Sequence, residues 1–335
     1  MMTLSKIKLL GYKFENVESF EFLNSHPVQI VYIHGAIDLD CLIRNVNPLY
    51  IEELKFASCF INSKVMFDFF KQVKNLSKFS LRQFNSHEEI GNSFLKSISQ
   101  SGCSLTSFEL ICCKLSSDIG ACLGAFIGKQ TTLNVLNLCS TNLKGELGRD
   151  IFRNIPPAFS SLKELNLNDC SFTSDIGQLL GKFIGYQTNL NKLELSNIIL
   201  KGEIGKNLFK DISSLCCNIK ILKLSKCEFS YDMCEYLGRF IGLQIQLQKL
   251  DFGNTNLKDE IGINIFKYIP SNFNNLKEFS LRMCQFSPEM IEPLGRVIRN
   301  QDNLQKLDLY LTNPISEVEK IHNHYLSSSE CNISY

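Results

Sequence analysis

Leu162-Lys163-Glu164-Leu165-Asn166-Leu167-Asn168-Asp169-Cys170-Ser171-Phe172 carries the pattern that decides the fold. Counted from Leu162, its apolar residues stand first, fourth and sixth, then ninth and eleventh. The spacing starts again at Leu105, Leu133, Leu190, Ile219, Leu247, Leu276 and Leu304, so the steps alternate between 28 and 29 residues. The ninth position alternates with them. Cys113, Cys170, Cys227 and Cys284 lie 57 residues apart, and Thr141, Ile198, Thr255 and Thr312 fall between them. A fixed period in the range of roughly 20–50 residues marks a solenoid.

The chemistry of one step follows from its spacing. The gap of three and then two suits a short strand entered through a bend, with Leu165 and Leu167 facing one side. Downstream, Ile176, Leu179, Leu180, Phe183 and Ile184 recur at threes and fours, as a helix with one buried stripe requires. A lone strand and helix cannot cover their own apolar faces, but stacked neighbours can. Two helix types alternate from Leu105 onward. One carries repeated glycines (Gly124, Gly128; Gly177, Gly181, Gly185; Gly238, Gly242), which predicts close packing of adjacent helices. The other runs into Pro156 or Pro270, where the helix must stop.

On these residues the chain resembles the leucine-rich-repeat family, specifically its ribonuclease-inhibitor type, which has alternating 28- and 29-residue repeats and Cys or Thr at the ninth position. The resemblance covers Leu105–Pro314 closely and the N-terminal part more loosely. It implies an α/β solenoid, a horseshoe with parallel strands on the concave face and helices on the convex face, of about twelve repeats. It also implies protein recognition through the concave surface. One domain is expected over residues 1–325. Within it, 1–104 holds shorter repeats, 105–314 the regular ones and 315–325 a C-terminal cap. Residues 326–335 are expected to form a flexible tail. The shorter repeats begin at Leu4, Val28, Ile51 and Leu76, with Tyr12, Phe14 and Ile61 among their apolar positions.

Composition narrows the function. Of 335 residues 44% are hydrophobic and 21% charged, with a net charge of +1, so no bulk field favours nucleic acid or an acidic membrane. The opening Met1–Lys8 lacks the apolar core of a signal peptide. No apolar run reaches the roughly 18–20 residues of a membrane span. Fourteen cysteines raise the question of disulfides. Successive ladder cysteines, however, sit two strand spacings apart, about 10 Å, beyond disulfide reach. Reduced thiols and a cytoplasmic location are expected, with delivery into a host cytosol without a classical signal as the alternative. The Phe-, Asn- and Lys-rich composition is also similar to that of leucine-rich-repeat effectors injected by intracellular bacteria.

No catalytic, cofactor-binding or metal-binding set is assigned. Gly124–Lys129 has three residues between its glycines where a phosphate loop needs four, and Gln130 follows the lysine. His322 and His324 lack further ligands at metal-binding spacing. A second functional class remains open, because the chain also resembles the GTPase-activating proteins of Ran in size and repeat type. Arg149 and Arg153 would then be the candidate arginines, although the acidic tail and arginine loop of that family are missing. The leading expectation is a non-enzymatic, monomeric scaffold that binds and regulates or inhibits a protein. The third, fifth and seventh residues of each step should line the concave face. Two places there depart from the polar average: Ile111, Val135 and Cys139, and Arg282, Met283, Tyr310 and Leu311. Arg, Tyr and Met favour interfaces. If the register is right, Leu165→Ala or Leu222→Ala costs about 2–5 kcal/mol in a denaturant titration. A loss below about 1 kcal/mol would contradict it.

Overall fold

The structure, a computed structural model, describes residues 5–10, 23, 26–35, 39–59, 64–84, 88–212, 216–312 and 332–334. The chain divides into two compact units, residues 1–162 and 163–335. In the first, strands β1 (Lys6–Leu10), β2 (Ile30–His34), β3 (Glu53–Ala57), β4 (Lys78–Arg82), β5 (Ser107–Ile111) and β6 (Val135–Asn137) lie parallel in chain order. Between them run helices α1 (Leu39–Asn45), α2 (Lys64–Phe70), α3 (Glu88–Gln100), α4 (Gly120–Lys129) and α5 (Gly145–Asn154). The second unit repeats the plan with β7 (Glu164–Asn166), β8 (Lys192–Glu194), β9 (Ile221–Lys223), β10 (Lys249–Asp251), β11 (Glu278–Ser280), β12 (Lys306–Asp308) and β13 (Asn332–Ser334). Its helices are α6 (Ser174–Gly185), α7 (Glu203–Asp211), α8 (Tyr231–Leu243), α9 (Glu260–Lys267) and α10 (Ile291–Arg299). Strand–helix alternation with in-register parallel pairing makes this a leucine-rich-repeat solenoid.

The ladder register holds. Leu162, Leu165 and Leu167 are fully buried, as are Ile219, Leu222 and Leu224 in their own step. Shorter N-terminal steps leave room for helices of only seven residues, α1 and α2, against thirteen in α3. Phenylalanine replaces leucine at many core sites. In the first unit Phe70 meets Phe94 at 4.9 Å and Phe108 meets Phe126 at 5.3 Å, both edge to face. Tyr12, Phe14 and Ile61, and residues 315–325 assigned as a cap, lie outside the described residues. Asn332–Ser334, inside the stretch expected as a flexible tail, pairs in parallel with β12.

Three devices tie one step to the next. The ninth residue reaches back to the preceding strand. Cys113 Sγ donates to Leu81 O at 3.5 Å, Cys227 to Leu195 O at 2.9 Å and Cys284 to Phe252 O at 3.1 Å. Thr141, Thr255 and Thr312 make the same contact through their hydroxyls, to Leu110 O, Leu224 O and Leu281 O. A small side chain with one donor is what the position needs, which is why Cys and Thr alternate there. Burial pushes the thiols of Cys227 and Cys284 up to about 12, so both stay protonated at neutral pH. The cysteines whose side chains are described all carry free thiols.

The second device is the glycine row. A Cβ on Gly177 would sit 2.5 Å from Ile204 O of α7, and one on Gly181 2.5 Å from Leu208 O of the same helix. Gly124 is likewise closed off by Ile151 O of α5, and Gly238 by Ile265 O of α9. These glycines are buried under the next helix, so Gly124–Lys129 is no phosphate loop. The same close approach sets the Pro156 ring where a Gly128 Cβ would stand, and the Pro270 ring against Gly242.

The third device escaped the sequence reading. Gln130, Gln187, Gln244 and Gln301 also lie 57 residues apart, and all four are buried. Gln244 Oε1 accepts the Ile219 N–H at 3.2 Å, while its Nε2 donates to Cys216 O and Phe240 O. Gln301 does the same for the Leu276 N–H, Phe273 O and Val297 O. Each of these amides therefore joins a helix end to the entrance of its own step's strand and satisfies backbone groups with no water to reach them. Gln244→Ala leaves the buried Ile219 N–H and Cys216 carbonyl without this partner. The expected loss is about 1–3 kcal/mol by urea denaturation. A neutral change would show that the clamp is dispensable.

Candidate functional site

At the eighth position of the steps from Ile51 onward, just past the strand, the chain turns through a residue with positive φ. Ser58, Gln83, Cys112, Ser140, Asp169, Asn197, Lys226, Asn254, Met283 and Leu311 occupy this place, with φ between 52° and 59°. The left-handed conformation crowds any Cβ, and Asn and Asp tolerate it best because their short polar side chains bond locally. Asp169, Asn197 and Asn254 follow that preference. The last two positions use Met and Leu, bulky apolar residues that gain nothing locally from the geometry.

Met283 and Leu311 are also exposed, at 43% and 56%. Their step partners are Arg282 and Tyr310, at the seventh position of adjacent steps in the second unit. The backbone places the two steps side by side, with Met283 N–H donating to Tyr310 O at 2.8 Å. The Arg282 guanidinium lies over the Tyr310 ring, 4.5 Å from its centroid. Such a pair at an exposed site is worth about 0.5–1 kcal/mol and holds both side chains in one arrangement. The four residues singled out near the C-terminal end of the ladder thus form a single surface feature. Beside it is a shallow polar cleft of about 140 Å³ lined by Lys249, Asp251, Glu278, Ser280, Lys306 and Asp308. Lys249 Nζ is 2.6 Å from Glu278 across that cleft.

The rest of the second unit's sheet face is a charge-paired polar surface. Lys192 lies 3.4 Å from both Glu164 and Glu194, and Lys223 also pairs with Glu194. Burial works against the Lys192 ammonium, but Glu194 and Glu164 outweigh it and hold its pKa above the ordinary lysine value.

The other predicted patch is not assembled as expected. Val135 stands beside Ser107 in the register and Ile111 beside Arg82. Only Ile111 and Cys139 are neighbours, through the Cys112 N–H to Cys139 O bond at 2.9 Å. Asn137 separates Val135 from Cys139 along the strand, and its Oδ1 accepts the Cys139 N–H. The ladder positions account for this: Val135 is third in its step, opposite Ser107, whereas Ile111 and Cys139 are both seventh in theirs. Arg149 and Arg153 lie on α5, the former half-buried and the latter exposed, away from the strand positions. His322 and His324 lie outside the described residues. Among the described residues no group of three or more His, Cys, Asp or Glu could hold a metal ion, and no helix is long and apolar enough to cross a membrane.

Comparisons with known proteins agree with this architecture. Residues 161–183 match the Leucine Rich Repeat family model, and this span contains the deciding stretch. The chain is a leucine-rich-repeat protein. Within that class its alternating 28- and 29-residue steps are similar to those of the ribonuclease-inhibitor-like type. It is 24% identical to mouse (Mus musculus) ribonuclease inhibitor over 64% of this chain and 47% of that protein. It is 22% identical to the NACHT, LRR and PYD domains-containing protein 9 of Bos taurus, over 87% of this chain. Against the human protein 14 of that name the identity is 27% over 78% of this chain. The chain spans only 29% and 24% of those two longer relatives. A crystal structure of an internalin from Listeria monocytogenes superposes with a TM-score of 0.56 at 15% identity, covering 99% of this chain and 86% of that one, which speaks to the fold alone.

Leu311→Asn removes an apolar side chain from a strained turn and supplies a residue suited to it. The expected gain is about 0.5–1 kcal/mol in thermal or chemical denaturation. A loss of stability would mean that Leu311 is held for packing.

Proposed function

We propose that this protein binds another protein through its sheet face and regulates or inhibits it there, with Arg282, Met283, Tyr310 and Leu311 at the centre of the contact. Proteins of this class generally act through protein–protein interaction. The observation that carries the reading is the joint oddity of these four residues. Two bulky apolar side chains occupy left-handed turns, where they cost stability, and both face solvent beside a stacked Arg–Tyr pair. Strain held at a surface that packs nothing internally is characteristic of binding positions. Tyr, Arg and Met are also the residue types enriched at interface centres.

In this reading the protein is a non-enzymatic scaffold. Its chemistry is recognition: an aromatic–cationic pair, two apolar anchors and a polar cleft that offers both signs of charge. The protonated thiols at the core suit a reducing compartment. Arg282→Ala/Tyr310→Ala removes the anchor without touching the buried leucines. Used beside the unaltered protein in an affinity capture from cell lysate read by mass spectrometry, it should lose a partner that the unaltered protein retains. Because interface anchors are worth about 2 kcal/mol or more when truncated, the loss should exceed tenfold in a titration with that partner. Equal capture by the two proteins would remove this patch from the interface.

A further inference from the structure

The sheet face of the first unit has a different charge balance from that of the second. Its strand positions present five cations, Lys6 and Lys8 on β1, Lys55 on β3, and Lys78 and Arg82 on β4, against two carboxylates, Glu53 and Glu109. On the second unit's strands and turns, Lys192, Lys223, Lys226, Lys249, Arg282 and Lys306 are matched in number by Glu164, Asp169, Glu194, Asp251, Glu278 and Asp308. Only the first face has cations to spare.

The carboxylates it does contain are committed. Glu53 is buried, accepts the Tyr32 hydroxyl at 2.7 Å, and lies 2.7 Å from Lys55 and 3.9 Å from Lys78. Burial opposes its ionisation, but Lys55, Tyr32 and Lys78 outweigh that and keep its pKa below the ordinary value. Glu109 accepts the Ser80 hydroxyl at 3.0 Å and lies 3.7 Å from Arg82. Lys6 and Lys55 each stand 4.8 Å from the centroid of the Tyr32 ring. Among the described residues neither Lys6 nor Lys8 has a carboxylate within ion-pair distance. Glu53 and Tyr32 therefore gather Lys6, Lys55 and Lys78 around a single carboxylate, which neutralises only one of the three charges.

We propose that this face docks an extended, acidic segment of a protein, with Lys6, Lys8, Lys78 and Arg82 as the groups that receive its carboxylates. Adjacent strands are about 4.8 Å apart and residues along a strand about 3.3 Å, so the four cations span roughly 14 Å by 13 Å. An extended chain with Asp or Glu two to four residues apart matches that spread. Single-stranded nucleic acid is the poorer fit, because it needs aromatic platforms as well as cations. Tyr32 is already engaged by two lysines, and Glu53 and Glu109 stand where a continuous phosphate backbone would run. The proposal rests on the sheet face being the binding side, but on a different unit and different residues from the Arg282–Tyr310 contact.

The test is fluorescence anisotropy with the intact chain and a labelled peptide of alternating Glu and Gly, beside an alternating Lys and Gly peptide and a single-stranded oligonucleotide. The acidic peptide should bind at low ionic strength and weaken as salt rises, since exposed charges are screened within about 10 Å at 0.1 M. Lys8→Glu/Arg82→Glu should weaken it at least about tenfold. Lys8→Ala/Arg82→Ala should weaken it less, in the same direction, and serves if charge reversal perturbs folding as judged by circular dichroism. Arg282→Ala/Tyr310→Ala should leave it unchanged, which separates a failure here from a failure of the other contact. Absence of acidic-peptide binding, or equal binding by the folded charge-altered variants, overturns the proposal. Tighter binding of the oligonucleotide, lost in the same variants, also overturns it and assigns the face to nucleic acid.

Discussion

The bond from a ninth-position thiol or hydroxyl to a carbonyl of the preceding strand is the interaction on which the repeat depends. At the end of each strand the chain must turn sharply and still satisfy the backbone groups it buries. The left-handed eighth residue makes the turn, and its N–H carries the ladder one bond beyond the strand, as Asn254 does to Arg282 O at 2.7 Å. The ninth side chain then points inward and takes up the carbonyl behind it. Cys and Thr suffice because the carbonyl behind them needs only one donor. Ile198, which holds the same place with no donor, shows that burial alone can fill one step but not that it could fill all of them.

On the helical side, sterics set the alternation. Glycine-bearing helices α4, α6 and α8 allow the backbone of the following helix to come within reach of what would be their Cβ atoms. In the following helices α7 and α9 the glycines Gly205 and Gly262 are met instead by a side chain of the next step, Met233 and Met290. The buried glutamines recur with the same double period and lie at the ends of the glycine-bearing helices. One 57-residue unit therefore contains one tight helix pair and one glutamine clamp, and neither could be halved without losing its partner.

With the leucines, cysteines and helices committed to packing, the sheet face is relieved of structural duty. Its residues can vary without cost to the core, and the two units use that freedom differently. One leaves cations in excess around a buried glutamate. The other balances its charges and concentrates its apolar exposure at Met283, Tyr310 and Leu311. A solenoid suits recognition for this reason: the residues that fold it and the residues that touch a partner sit on opposite sides of the same short strands.

The sequence by itself determined the repeat, its double period, the buried leucine register and the face to which each remaining side chain belongs. All of these follow from spacing, because burial of one face enforces a period that any reader can count. It also marked Arg282 and Tyr310, whose equal positions in adjacent steps guarantee that they meet. Only the tertiary structure decided the left-handed turn that makes Met283 and Leu311 costly, the partners of the buried glutamines and the commitment of Glu53 to its three neighbours. Those depend on backbone dihedrals and on how far side chains reach across strands and between helices, which spacing along the chain does not record.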